Sequence, residues 1–382
     1  MSVSRKKKMV NFEFMRIVSM LMIITWHIVV HGGLDGVVDN YGRVFDIILG
    51  IIIVHVNSFI LLMGYFQYKN KFKFNKVLEL LGISWFYRIF IILVFILILK
   101  ETFTAGFLFL SLVPIDMNNN YWFINVYVLV YALSPFFNIL IKKMNKQQHL
   151  ALLVLLFFCF SFLPLISGDS IFSNDDHAPI QMIFMYFVGA YLGKYDILKK
   201  GMFSKYSNKK KIMCCVIFFF ISVILNLGLF KIGNMMQSVD GSILQILGNY
   251  IVAARLNYGN PFVIIQTISY FMIFKNLTFK EGKLSNLILK ISPYCLGVYL
   301  ITENLLIKES LYDFLKLNVT YFTYDFNFFI WMLLMILLIF VLCILFEMIR
   351  SFIFKCIGKL GFFRNFKLKL DNFTKLVNGV LQ

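Results

Sequence analysis

The sequence predicts an all-α, polytopic transmembrane bundle of about ten spans, with both termini on the cytoplasmic side. Three observations carry that prediction. Of the 382 residues, 60% are hydrophobic, and the mean hydropathy is +0.80, well above a soluble domain. Apolar runs of about 20 residues recur from one end of the chain to the other, the length that crosses about 30 Å of hydrocarbon. Basic residues gather in alternate loops, as a fixed orientation in a bilayer requires. Barrel strands would be shorter and would alternate apolar with polar residues, which these runs do not.

The elements follow in order. The segment "MSVSRKKKMVNFEF" resembles the n-region of a signal peptide. The run behind it lacks a small-x-small cleavage site and holds Arg16 and His27, so it reads as a retained first span. Candidate spans cover 11–31, 44–66, 77–99, 121–141, 149–166, 180–196, 212–230, 259–275, 287–307 and 326–350. "FTAGFLFLSLV" (103–113) is too short to cross and reads as re-entrant or interfacial. "SILQILGNYIVAARLNYGNP" (242–261) is amphipathic and interrupted by Arg255, and stays outside the count.

Loop charge fixes the expected orientation. One set of loops carries Arg5 to Lys8, Lys69/71/73/76, Lys142/143/146, the lysines between 194 and 211, Lys275/280/283 and a basic tail. The other set holds only Arg43, Lys100, Lys231, Arg255, Lys308 and Lys316, with acids such as Asp169, Asp175 and Asp176. The first set belongs to the cytoplasm. Residues 1–350 then form one transmembrane domain, and 351–382 a basic amphipathic cytoplasmic tail suited to anionic lipid. No repeat of 20–50 residues is visible.

Several function classes drop out. The net charge of +18 is spread over alternate loops and not one patch, which argues against nucleic acid. The six cysteines form no CxxC, so neither a disulfide framework nor a zinc site is indicated. A Gly-x-Ser-x-Gly elbow, a P-loop and a His-Glu-x-x-His are all missing. The sequence gives no reason to expect a metal.

Ionisable residues inside spans are the functional candidates. Arg16 and His27 bracket "RIVSMLMIITWH" in span one. Eleven residues rise about 16 Å and turn about three times, so both side chains share one stripe of the helix. Arg16 lies near the cytoplasmic face and His27 near the outer one. Glu303 in "YLITENLL" reaches the His27 level, as do Tyr121, Trp122 and Asn125 in "NNNYWFINVY". Arg88 lies mid-depth in span three, and His55 and Asn57 mid-depth in span two. Polar groups converging among aromatics are what orients a polar ligand. Plainer readings stand beside these. Arg16 also fits snorkelling to lipid phosphates, His27 an interfacial histidine, and Glu303 a wet helix end. Tyr121 and Trp122 also fit an aromatic belt, and His55 a packing role. His31, His149 and His177 read as solvated.

At these residues the chain resembles the acyltransferase-3 family, integral-membrane bacterial O-acyltransferases, over about 10–350. The family's Arg-x10-His is matched by Arg16 and His27. "HVNSFILLMGYF", "YWFINVYVLVYALSPFFNIL" and "ISPYCLGVYLITEN" resemble its second, fourth and late segments in order. Met63 stands where Ser is common, and Thr302 where a second His is often found. Arg88 stands alone where some members carry Arg-x-x-Arg, and the chain reads as the stand-alone membrane type, without the esterase-like domain fused to some members.

The resemblance implies transfer of an acyl group, most often acetyl, from cytoplasmic acyl-CoA to a hydroxyl of a surface or capsular glycan or its lipid-linked precursor. A bacterial plasma membrane, Gram-positive by its Lys-, Asn-, Ile- and Phe-rich usage, is the expected location, with polysaccharide-synthesis machinery as a partner. The chemistry suits the residues. His27 would be the base, with Glu303 orienting it or binding sugar. Arg16 would anchor the coenzyme's phosphates, and Arg88 the pantetheine arm or an oxyanion. Tyr121, Trp122, Asn125 and Asn57 would contact the acceptor. The alternatives are a glycan or lipid-precursor exporter, which predicts broken helices and inverted repeats, and a structural subunit in which these polar groups are dispensable.

Overall fold

In the computed structural model, residues 9–37, 42–115, 121–167, 179–196, 202–322, 325–358 and 361–380 are described. They form seventeen α-helices and, among the described residues, no strand. In chain order these are α1 (Val10–His31), α2 (Gly42–Ile52), α3 (His55–Gln67), α4 (Phe74–Leu97), α5 (Ala105–Leu112) and α6 (Trp122–Lys143). Then come α7 (Lys146–Phe157), α8 (Pro164–Ser167), α9 (Pro179–Tyr195), α10 (Asn208–Gln237), α11 (Ile243–Ala253) and α12 (Pro261–Asn276). The chain ends with α13 (Lys283–Ile291), α14 (Cys295–Thr302), α15 (Leu305–Phe314), α16 (Phe326–Ile357) and α17 (Gly361–Val380).

Among the described residues, 8 stretches are long and apolar enough to cross a bilayer: α1, α2–α3, α4, α6, α7–α8, α10, α13–α14 and α16. The two remaining expected spans are α9, of 17 residues, and α12, of 16. Both are buried along most of their length. Short helices survive at membrane depth because neighbouring protein, not lipid, surrounds them. By contrast α4, α10 and α16 turn Leu93, Ile224, Leu333 and Leu342 outward, as a lipid-facing surface should.

Three expected single spans are interrupted, span five by a π-helical stretch at Phe158–Phe162 before α8, and spans two and nine more sharply. Span two parts at Ile53–Val54 between α2 and α3, and the His55 Nδ1–H donates to the Ile52 carbonyl over 2.7 Å across the break. Span nine turns 3-10 at Ser292–Tyr294, where Pro293 has no N–H to give, and breaks again at Glu303–Asn304. The two ambiguous stretches do not cross. α5 packs on α4, with the Trp85 indole donating to the Leu112 carbonyl over 3.0 Å. α11 folds back onto α10, where Gly233 and Gly248 let the two backbones approach.

α1 is the axis of the bundle, packed against α2, α3, α12, α13, α14, α15 and α16. Buried hydrogen bonds fix its register. Ser19 meets Ser58 at 3.0 Å and Tyr270 at 3.1 Å, and the Asn11 amide donates to the Phe274 carbonyl over 2.9 Å. α3 and α9 cross at their backbones: a Cβ on Gly64 would strike the Tyr186 carbonyl, and one on Gly189 the Leu61 carbonyl. A buried network joins α4 to α16. The Tyr87 hydroxyl donates to Glu347 Oε2 over 2.5 Å, and Arg350 grips both oxygens of that carboxylate.

The start of α1 meets the end of α3 through Phe12 and Phe66, whose rings lie 5.3 Å apart. α17 docks beside the start of α4, where the Asn378 amide donates to the Phe72 carbonyl over 2.9 Å and Asn75 to Asp371. Both ends of the described chain therefore lie at one end of the bundle. It carries Lys69, Lys71, Lys73 and Lys76, and is called the basic end below.

Candidate active site

Two chambers lie along α1. The upper one, about 530 Å³, sits at the end of the bundle away from the basic end. His27 and His31 occupy positions i and i+4 and so point the same way into it. Glu303 enters from the break after α14. Its Oε2 lies 2.8 Å from His27 Nε2 and 3.1 Å from His31 Nε2. Lys308 Nζ lies 3.6 Å from its Oε1.

The break that presents Glu303 is built by local chemistry. Asn304 leaves helical backbone, and its side-chain oxygen caps α15 by accepting from Leu306 N over 3.1 Å. Its amide donates to the Tyr121 hydroxyl over 2.8 Å, and that hydroxyl donates to the Leu300 carbonyl over 2.8 Å. Tyr121 is thus a strut between the start of α6 and the joint that holds the acid.

On the other edge of the His27 ring, Nδ1 lies 3.0 Å from Thr302 Oγ1, which itself lies 3.0 Å from the Val298 carbonyl. When the hydroxyl donates to that carbonyl, it can only accept from His27 Nδ1–H. Nε2 then faces Oε2 across 2.8 Å, a contact that two lone pairs cannot make without a proton between them. With the hydroxyl turned to Nδ1, neutral His27 donates from Nε2 to the carboxylate. In both arrangements the Nε2–Oε2 pair holds one proton at the chamber wall.

Aromatic rings line the rest. Trp122 and Tyr258 stack with centroids 6.0 Å apart, and Trp26 lies 5.3 Å from His55. Tyr258 is held from behind, where its carbonyl accepts from the Asn57 amide over 2.8 Å and from the Gln181 amide over 3.1 Å.

The lower chamber, about 460 Å³, opens at the basic end and is lined by Arg16, Gln67, Asn70, Lys76 and Tyr131, among others. Arg16 is 36% exposed and donates to Glu13 Oε1 over 2.7 Å. The other Glu13 oxygen accepts from Ser292 over 2.6 Å, so the guanidinium is steered by a buried carboxylate. Lys76 stands 5.6 Å from the Tyr131 ring.

A family model described as an acyltransferase domain matches residues 9–359. The chain belongs to this acyltransferase family. No curated protein and no solved structure matches it.

The acyltransferase brings together His27, Glu303 and Trp122 in the upper chamber and places Arg16 in the lower one. Other expected residues stand elsewhere. Tyr121 and Asn57 are buried supports that act through Asn304 and Tyr258. Asn125 is half-buried on α6 and lines neither chamber. Arg88 also lines neither. It is buried on α4 and donates to the Val113 carbonyl over 2.5 Å, tying down the chain after α5.

Two histidines differ from the expectation that they are solvated. His31 belongs to the cluster, and His149 is fully buried with its Nε2 3.2 Å from the Phe187 carbonyl. His177 lies outside the described residues. The sequence reading also missed Tyr258, Tyr299, Lys308 and Thr302. Of these only Thr302 had a signal, since it stands where the resembled family often has His.

The ligand atoms of His27, His31 and Glu303 lie within 4.8 Å of one another, close enough to share a cation. Lys308 already supplies positive charge to the same carboxylate. What the cluster offers the acyltransferase is a place to take, hold and return a proton beside an aromatic chamber that fits a ring-shaped polar ligand.

Proposed function

We propose that this acyltransferase moves an acyl group, acetyl by preference, from a coenzyme A thioester to a hydroxyl of a cell-surface glycan or its lipid-linked precursor. The basic end faces the cytoplasm, by the charge of its loops, in a bacterial plasma membrane of Gram-positive type. Arg16 and Lys76 in the lower chamber suit the coenzyme's phosphates. The acceptor enters the upper chamber and packs against the exposed edges of the Trp122 and Tyr258 rings. Association with polysaccharide-synthesis machinery would deliver it there.

The residues supply the proton steps. A sugar hydroxyl is a weak nucleophile, so its proton must leave as its oxygen attacks the thioester carbonyl. His27 Nε2 takes that proton when its edge is free, and the adjacent Glu303 carboxylate stabilises the imidazolium that forms. The C–S bond then breaks, the ester is released, and the imidazolium returns the proton to the departing thiolate. His31 touches the same carboxylate oxygen as His27. It gives the resting proton a route to the chamber opening.

The observation that carries this reading is the His27–Glu303 pair at the wall of a chamber aligned along α1 with a second, Arg16-bearing chamber. Labelled acetyl-CoA is supplied to membranes holding wild type or His27→Ala, and label on glycan is counted. Loss of a general base lowers the rate by about 10²–10⁴-fold. Transfer that survives His27→Ala removes His27 as the base. The broken helices also fit an exporter. Glycan that carries no acyl group in any strain, yet fails to reach the surface without the protein, would establish that reading instead.

A further inference from the structure

The same four segments line both chambers. α1 gives Arg16 below and His27 above, α3 gives Met63 below and His55 above, and α6 gives Tyr127 below and Phe123 above. The 3-10 turn leading into α14 gives Pro293 below, and α14 itself gives Tyr299 above. Among the described residues, Phe59 alone borders both. Its ring lies 6.2 Å from Phe123, which lies 5.8 Å from Tyr127 and 6.0 Å from Tyr299. These rings form a collar between the chambers.

We propose that Phe59 is the gate of this collar: closed, it seals the bilayer, and it swings aside to admit the thioester arm of the donor. The donor half of this statement rests on the acyl-transfer reading. The sealing half rests on the chambers alone. Two chambers open at opposite ends would leak ions if joined by water, because the membrane potential drives charge along any continuous aqueous path. An apolar constriction excludes that water. The donor must nevertheless carry its carbonyl up to His27, so the seal has to yield.

The structure limits how it can yield. α3 is pinned to α9 five residues further on, where Gly64 and Gly189 hold the two backbones in contact. Ser58, Ile60 and Leu61 beside Phe59 are buried, whereas Phe59 is only partly so. The backbone is fixed and the ring has room, so opening is a side-chain rotation.

The test uses the full chain in liposomes with a trapped pH-sensitive dye and an imposed potassium diffusion potential. Phe59→Ala should admit protons at least about ten-fold faster than wild type, and Phe59→Trp should stay tight. In the same vesicles Phe59→Trp should bind coenzyme A as wild type does, by titration calorimetry, while acetyl transfer falls by about 100-fold. Phe59→Leu should give an intermediate leak and stands in for Phe59→Ala if that protein does not elute as a single species. Phe59→Ala or Phe59→Leu vesicles as tight as wild type, or a Phe59→Trp protein that transfers at the wild-type rate, overturn the gate. A leak in Phe59→Ala beside a wild type that transfers no acyl group keeps the seal and removes the acyl-transfer reading.

Discussion

Thr302 shows how a single hydroxyl can govern the chemistry of a histidine it merely touches. Its oxygen lies 3.0 Å from His27 Nδ1 and so holds the ring with its other edge toward Glu303. Thr302→Val keeps the shape and removes that control. Turnover should fall by about 10- to 100-fold, since small misplacement of a reacting group costs rates of that order. The KM for acyl-CoA should stay near wild type, and Thr302→Ser should restore the rate. Steady-state kinetics on acetyl transfer decide it, and an unchanged turnover in Thr302→Val would remove Thr302 from the site. At this scale the sequence was legible where the candidate residues sit on one helix. Arg16 and His27 share a stripe because helix geometry alone puts them there. Tyr258 was not legible, because it meets Trp122 only after more than a hundred residues of chain have folded between them, and Thr302 showed only as a departure from the resembled pattern, its contact with His27 hidden by a still longer stretch.

Helices were legible as apolar runs, but their interruptions were not. Span nine reads as one hydrophobic stretch, and its break at Glu303–Asn304 depends on a distant tyrosine, Tyr121, that accepts from Asn304. Hydropathy carries no trace of such a bond. The α3–α9 crossing is similar: "LLMGYF" and "YFVGAY" each look like ordinary membrane helix, and only the fold shows that Gly64 and Gly189 face each other's partners. Gly189→Ala should therefore lose about 1–3 kcal/mol of stability, the usual effect of overfilling a packed contact, because the atom it meets is backbone and cannot turn away. Thermal unfolding in detergent reads this directly. Gly82, which has open space around it, is the control that should tolerate the same change.

Across the whole molecule, the alternation of loop charge agrees with the fold, which gathers the described basic loops at the end where α1 starts and α17 docks. The assignment of that end to the cytoplasm is testable through Cys356, the exposed cysteine near the end of α16. A variant retaining Cys356 alone should resist a membrane-impermeant thiol reagent in intact cells and react after permeabilisation. Labelling in intact cells would invert the molecule and place the His27 chamber inside.

The two chambers would also separate the pools that the proposed reaction draws on. On the proposed reading, only a small acyl group crosses the membrane, and neither coenzyme nor glycan changes compartment. Spent coenzyme is released on the side where fresh donor arrives, so the two compete for the Arg16 chamber with no contribution from outside. The extent of glycan decoration then follows the cytoplasmic ratio of acylated to free coenzyme. A surface polymer, beyond the reach of metabolism, would carry a lasting mark of the cell's acyl supply at the moment it was made.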